Sequence, residues 1–338
     1  LDVGWRLALR DVGPFREASI ELRPLTVFIG SNGTGKSFIL RLLYSFSSVL
    51  PDVSELMKGE LTQESVVESL EVEIKESLNR IVGKNLLRKG GTIGRIALAS
   101  ELADFEVKVG SDLYPEVRFK AREVLESLVS YYVNILSNLP LRGEKGKSVS
   151  TISKLAWLVV MTYVLWLITE RDVPPLLLPF TVPSFTVFLV HNRAGFTEAF
   201  ASLRNYAKYF EILNELERSY AIAYSKLLED FDQGNVDLNI IKGYFDELGF
   251  SLELVEKEGI KLPYIRTWSG LLLPLSEAPS SVKESLSTAL ALASKTFKVI
   301  YIEEPEAHLH PRAQRLIARL ISRAVNSGKF VIMSTHSD

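Results

Sequence analysis

The stretch Gly30 to Ser37, GSNGTGKS, sets backbone freedom, a cation and a hydroxyl at the spacing GxxxxGK[ST]. That spacing suits phosphate chemistry. Glycines let successive backbone N–H groups wrap phosphate oxygens, and a following helix turns its positive N-terminal end towards them. In this reading Gly30, Ser31, Asn32, Gly33, Thr34 and Gly35 form the wrapping loop, Lys36 reaches the β- and γ-phosphates, and Ser37 ligates Mg²⁺. The implied ligand is a nucleoside triphosphate with its magnesium.

Two clusters far downstream add the remaining chemistry. The apolar run Lys298 to Ile302 leads straight into Glu303 and Glu304. One carboxylate beside a phosphate loop can hold magnesium through water, and the other can polarise an attacking water. Strand alternation sends successive side chains to opposite sides, which assigns Glu303 to the metal and Glu304 to the base. A second apolar run, Lys329 to Met333, ends in Ser334-Thr335-His336-Ser337. An imidazole there can hydrogen-bond both a γ-phosphate oxygen and the attacking water, although a lone histidine also serves structural ends. Glu306, His308 and His310 suggest a metal site at first sight, but a helix beginning at Pro311 explains the same residues.

These side chains need strands that end together. Leu25 to Ile29 is a continuous apolar run and predicts a central strand buried on both faces. Trp5 to Leu9 and Ala18 to Leu22 alternate apolar and polar around Gly13-Pro14, which predicts a hairpin. Apolar residues Val66, Leu70, Ile74, Leu78 and Ile81 predict an amphipathic helix over Thr62 to Val82, and strands follow over Arg95 to Val109 and Glu116 to Phe119. Helix is expected again over Ala121 to Asn138, and an exposed loop over Leu141 to Ser150. Phe185 to Val190 predicts a further strand. The apolar stripe from Ala194 to Asp232 predicts one long helix on the order of 50 Å, either a coiled-coil arm or a wall of a helical lobe.

Composition narrows the classes. With 39 basic and 41 acidic residues in 338, no global field favours nucleic acid or membrane. Disulfides, thiolate metal sites and thiol catalysis are excluded because there is no cysteine, and a cytoplasmic setting is expected. The residues Leu1 to Arg10 lack the apolar core of a secretory leader. Leu155 to Ile168 runs fourteen residues without a charge, short of the roughly twenty a bilayer requires, so a buried helix is expected there.

Taken together, GSNGTGKS, IEEPEAHLHP and STHS resemble the ATPases of the ABC superfamily, most closely the OLD-like branch, which is similar to RecF and SMC head domains. The resemblance covers residues 1 to 50 and about 270 to 338. It implies ATP and Mg²⁺ as cofactors, hydrolysis by Glu304 with His336 and Lys36, and a head-to-head homodimer closed by ATP. In that dimer the signature segment Pro274 to Val282 would offer Ser280 to the γ-phosphate in trans; Ser281 stands where the family generally has glycine. The local alternative is that Ser280 or Ser281 caps the following helix. No glutamine matches the family's Q-loop, since Gln63 lies within a helical pattern. His191-Asn192-Arg193-Ala194-Gly195 is similar to a basic motif of the OLD-like group, so Arg193 is expected either at phosphate or the partner subunit, or as an ordinary exposed loop arginine.

The resulting expectation is an α/β, P-loop ABC-like head, a mixed sheet with helices on both faces, with a mostly helical insert. Residues 1–58 and 268–338 form the nucleotide core, with strands over 92–119 joining it, and 59–267 form the insert. The family implies an ATP-gated dimer switch in DNA repair or defence against mobile elements, acting on nucleic acid or through a separate effector or nuclease partner. A regulatory nucleotide-binding module with little turnover, or an ATP-binding subunit of a transporter, are the alternatives.

Overall fold

The computed structural model describes residues 5–47, 63–83, 86–99, 103–110, 116–121, 186–196, 213–257 and 260–336. In chain order the strands are β1 (Trp5–Val12), β2 (Phe15–Leu22), β3 (Leu25–Ile29), β4 (Gly94–Ala99), β5 (Ala103–Val109), β6 (Glu116–Ala121), β7 (Thr186–Leu189), β8 (Phe250–Lys257), β9 (Ile260–Thr267), β10 (Leu272–Pro274), β11 (Val299–Glu303) and β12 (Phe330–Thr335). The helices are α1 (Lys36–Ser47), α2 (Gln63–Ile81), α3 (Glu215–Asp232), α4 (Leu238–Ile241), α5 (Tyr244–Leu248), α6 (Ser280–Ala293) and α7 (Pro311–Asn326). The apolar segment 155–168 and residues 197–212 lie outside the described residues, as do the predicted helix and loop between 122 and 150.

The chain divides into two compact units, residues 1–23 with 41–183, and residues 24–40 with 184–338. The first unit holds an antiparallel five-stranded sheet in the order β2-β1-β4-β5-β6. Asp11 and Gly13, both at positive φ, turn the chain from β1 into β2. The alternation of Leu7, Leu9, Ile96, Leu98, Phe105 and Val107 builds one buried face, where Phe105 meets Trp5 and Phe46 at ring distances of 6.3 and 6.1 Å. Ile74, Leu78 and Ile81 of α2 are buried as their helical spacing requires.

The second unit is built on a parallel four-stranded sheet, β3-β12-β11-β7. β11 is buried at every position because it is central and helices cover it: α6 packs on β11 and β7, and α7 packs on α6 and β12. α7 buries Leu316, Ile317, Leu320, Ile321 and Ala324 on one stripe and leaves its arginines outside. A three-stranded antiparallel sheet, β10-β9-β8, completes the unit.

Two expectations change. β3 matches its predicted bounds but is the edge strand of its sheet, with Leu25 41% and Ile29 59% exposed, so its apolar run does not mark a centre. Long helix 194–232 is interrupted: Asn214 is extended at φ −70, ψ 170 and opens α3 with a capping box, its side chain accepting from Glu217 N–H while the Glu217 carboxylate accepts from Asn214 N–H. Asn-x-x-Glu is a helix start, and it outweighs a continuous apolar stripe. β7 and the β8–β10 sheet fall with the parallel sheet in one unit, whereas β1 and β2 pair with β4 to β6 in the other.

Candidate active site

Parallel pairing brings four strand ends to one edge. Ile29 of β3 pairs with Thr335 of β12, Ser334 pairs with Glu303 of β11, and Ile302 pairs with Leu189 of β7. The residues that follow each strand therefore emerge side by side: the glycine loop, His336, Glu304 and His191. Carboxyl ends of parallel strands are where such sheets bind ligands. A cleft of about 250 Å³ opens there, lined by Asn32, Gly33 and Gly35, by Lys36, Ser37 and Phe38 of α1, and by Glu304 and His336.

The loop's glycines are used for their conformation. Gly30, Gly33 and Gly35 sit at φ 153, 78 and 97, and a Cβ on Gly30 would stand 3.3 Å from Thr34 Oγ1. Thr34 Oγ1 donates to the Ser31 carbonyl at 2.9 Å. Lys36 is buried and donates to the carbonyls of Gly30 and Ser31 at 2.6 and 2.9 Å, which fixes its ammonium inside the loop.

Glu304 is held unusually. Its φ is 46, a left-handed conformation costing on the order of 1–2 kcal/mol for a residue with a Cβ. Such strain persists only where surroundings over-determine it. Here Glu304 N–H donates to the Ser334 carbonyl at 2.9 Å, and the Glu304 carbonyl accepts from Arg193 Nη2 at 3.0 Å. Its carboxylate is flanked by two imidazoles, His191 Nδ1 at 3.0 Å from Oε2 and His336 Nε2 at 3.3 Å from Oε1. The His336 N–H donates to Glu306 Oε1 at 2.7 Å, which anchors the histidine's backbone to the segment after β11.

Glu303 is buried at the end of β11, beside the cleft rather than among its lining residues. Oxygen donors of Ser37 and the two carboxylates suit magnesium, which keeps water and phosphate oxygens in most of its positions. Among the described residues no three His, Asp or Glu side chains gather into a metal cage. His310 instead caps α7, its Nδ1 accepting from Arg312 N–H at 3.3 Å with Pro311 in the first turn, while His308 adopts φ 56 in the preceding turn.

Arg193 corrects its expectation. It is fully buried, so it is neither an exposed loop arginine nor within reach of a nucleotide in the cleft. Its guanidinium donates to the carbonyls of Glu284 at 3.0 Å, Val190 at 3.0 Å, Glu303 at 2.7 Å and Glu304 at 3.0 Å. Burial lowers its pKa, and the charges of Glu284, Tyr220, Glu306 and Glu303 oppose that shift. Arginine suits this place because its planar fork supplies several donors to fixed acceptors at once. Local sequence gives no mark to Glu284, shows His191 only as the first residue of the basic motif, and offers Glu306 only as a metal-ligand candidate. The neighbouring strand order β11-β7 is the signal that brings His191 to Glu304.

Ser280 is exposed at the first position of α6, and the cap is Pro279 without a side-chain hydrogen bond, so neither Ser280 nor Ser281 caps this helix. Ser285 Oγ donates to the Ser281 carbonyl at 2.6 Å. The Val282 and Lys283 N–H groups donate to the Pro279 carbonyl at 3.0 and 3.2 Å.

Residues 197–338 match the family described as AAA ATPase domain. The chain is 29% identical over 176 residues to the energy-coupling factor transporter ATP-binding protein EcfA of Carboxydothermus hydrogenoformans, a match spanning 46% of this chain and 63% of that protein. Its fold is similar to the crystal structure of an SmcHead bound to the C-winged helix domain of ScpA, with TM-score 0.51, 13% identity, and 97% and 88% of the two chains covered. The SMC head domain from Thermotoga maritima aligns with TM-score 0.45 at 14% identity over 99% of this chain and 90% of that one.

Proposed function

We propose that this chain is an ATPase of the ABC superfamily, which binds Mg²⁺-ATP at the 30–37 loop and hydrolyses it with Glu304 as general base; the match to an AAA ATPase domain and the likeness to EcfA support the reading. One observation carries the reading: Lys36, Ser37, Glu304 and His336 line a single cleft although Ser37 and Glu304 stand at opposite ends of the sequence, and Glu304 Oε1 meets His336 at 3.3 Å. The loop N–H groups and Lys36 bind the phosphates. Glu304 polarises the attacking water and takes its proton, and His336 donates to the γ-phosphate. Ser37 and Glu303 are the residues that would hold Mg²⁺, which supplies charge neutralisation on the phosphate oxygens when bound.

The exposed first residue of α6, Ser280, supports a second contribution. A partner copy's γ-phosphate placed there would join two heads, and ATP would shift the monomer–dimer equilibrium by its differential affinity for the joined state. Ser281 in the glycine position supports a weaker closure than glycine would allow. The work of the switch is assigned to DNA repair or to defence against mobile elements, through nucleic acid or a separate effector or nuclease. The match to EcfA favours a second reading, an ATP-binding subunit of a transporter. Co-purification with a membrane-spanning partner would select that reading.

Steady-state ATP turnover of the wild type and of Glu304→Gln tests the proposal. Turnover in the wild type, its loss in Glu304→Gln and retained nucleotide binding in both are expected. Equal, near-zero turnover in the two proteins would replace the enzyme with a regulatory nucleotide-binding module.

A further inference from the structure

We propose that the segment leaving β7 is the positioning element of the hydrolytic site, with His191 orienting the Glu304 carboxylate and Arg193 fixing the peptides on which it is mounted. The inference rests on Glu304 being the base.

The strand pairing sets up the arrangement. Because Leu189 pairs with Ile302, the residues after β7 run beside the residues after β11. His191 Nδ1 then stands 3.0 Å from Glu304 Oε2, opposite the 3.3 Å contact of His336 with Oε1. A carboxylate contacted on one oxygen alone can still rotate about its terminal bond. Held on both, its plane is set, and one lone pair can be aimed at a water.

Arg193 acts one layer deeper. It donates to the Glu303 carbonyl at 2.7 Å and the Glu304 carbonyl at 3.0 Å, and so bonds to the carbonyl on either side of the φ 46 residue. The same guanidinium bonds Val190 at the end of β7 and Glu284 within α6. With no exposed surface it cannot touch the nucleotide, so any effect it has on turnover passes through the residues it bonds, Glu304 and Glu303 foremost. It also ties Glu304 to α6, the helix that begins at Ser280.

The test uses the full chain with ATP. The His191 side chain is 51% exposed, so its replacement leaves the fold intact, checked by the melting temperature. His191→Ala is expected to lower kcat about tenfold with KM and nucleotide Kd unchanged, because the interaction is made with the base and not with the substrate. His191→Asn, whose amide nitrogen lies close to the place of Nδ1, should recover part of the loss. In a Glu304→Gln background His191→Ala should change the residual rate no further. For Arg193, the double variant Arg193→Met, Glu284→Met removes both buried charges together, and it should bind nucleotide normally with reduced kcat. Wild-type kcat in His191→Ala and in the double variant, alongside an inactive Glu304→Gln, would overturn this inference and leave the ATPase reading intact. An inactive wild type would overturn both.

Discussion

The Lys36 ammonium donates to the Gly30 carbonyl at 2.6 Å, tying the lysine of the phosphate loop to the loop's own first residue. The same group bonds Ser31 at 2.9 Å. Lys36→Ala removes both the tether and the cation for the phosphates. Nucleotide affinity should fall at least about tenfold, as loss of a charge-assisted contact predicts. Isothermal titration with ATP measures it, and unchanged affinity would exclude the loop as the phosphate site.

Ser280 begins α6 exposed, with Pro279 before it. Replacing it by arginine adds bulk and a cation at the face assigned to a second copy. Light scattering of Ser280→Arg, in a Glu304→Gln background with ATP, should show monomer where Ser280 shows dimer. Nucleotide binding by each monomer should not change. A dimer in both would move the interface elsewhere.

Gly94 of β4 has no room for a methyl group: a Cβ there would lie 2.6 Å from the Asp11 carbonyl and 3.1 Å from Val12 Cγ2. Backbone on that side cannot yield without opening the β1–β4 pairing, whose nearest pair is Arg10 with Arg95. Gly94→Ala should cost about 1–3 kcal/mol, the usual range for overpacking. A denaturant midpoint equal to wild type would contradict this.

Lys329 is buried and donates to the carbonyls of Ala291 at 3.2 Å, Phe297 at 3.0 Å and Ser294. Burial, together with Lys298, lowers its pKa to about 7, while Asp237 and Asp230 oppose the shift. Its unfolded value is about 10.4. Between those values the unfolded chain binds a proton that the folded chain does not, so stability rises with pH across the window and is level below about 7. Relative to Lys329→Met, the wild type should therefore gain stability from about pH 7 to about pH 10, measured by chemical denaturation. A flat difference would mean that the carbonyls keep the ammonium charged inside the fold.

Much of the candidate site is legible in the sequence because its motifs are contiguous. GSNGTGKS sets its own turn, and the apolar runs ahead of Glu303 and His336 announce strands that end at those residues. Arg193 is legible there only as a cation after a strand. Nothing in its neighbours says that four carbonyls, from residues as distant as Glu303 and Glu304, converge on it. The exposed edge position of β3 is hidden for a similar reason, since an apolar run reads alike in an edge strand and a central one.

The sequence by itself determined where the candidate groups for phosphate chemistry lie, because glycine spacing, a lysine and paired carboxylates are each read in one contiguous stretch. Only the tertiary structure decided how they are held. The order β3-β12-β11-β7 brings His191 to Glu304, and the hydrogen bonds of Ser334 and Arg193 hold Glu304 at φ 46. Strand order and burial are set by pairing between segments far apart in the chain, and that pairing leaves no mark in local residue spacing.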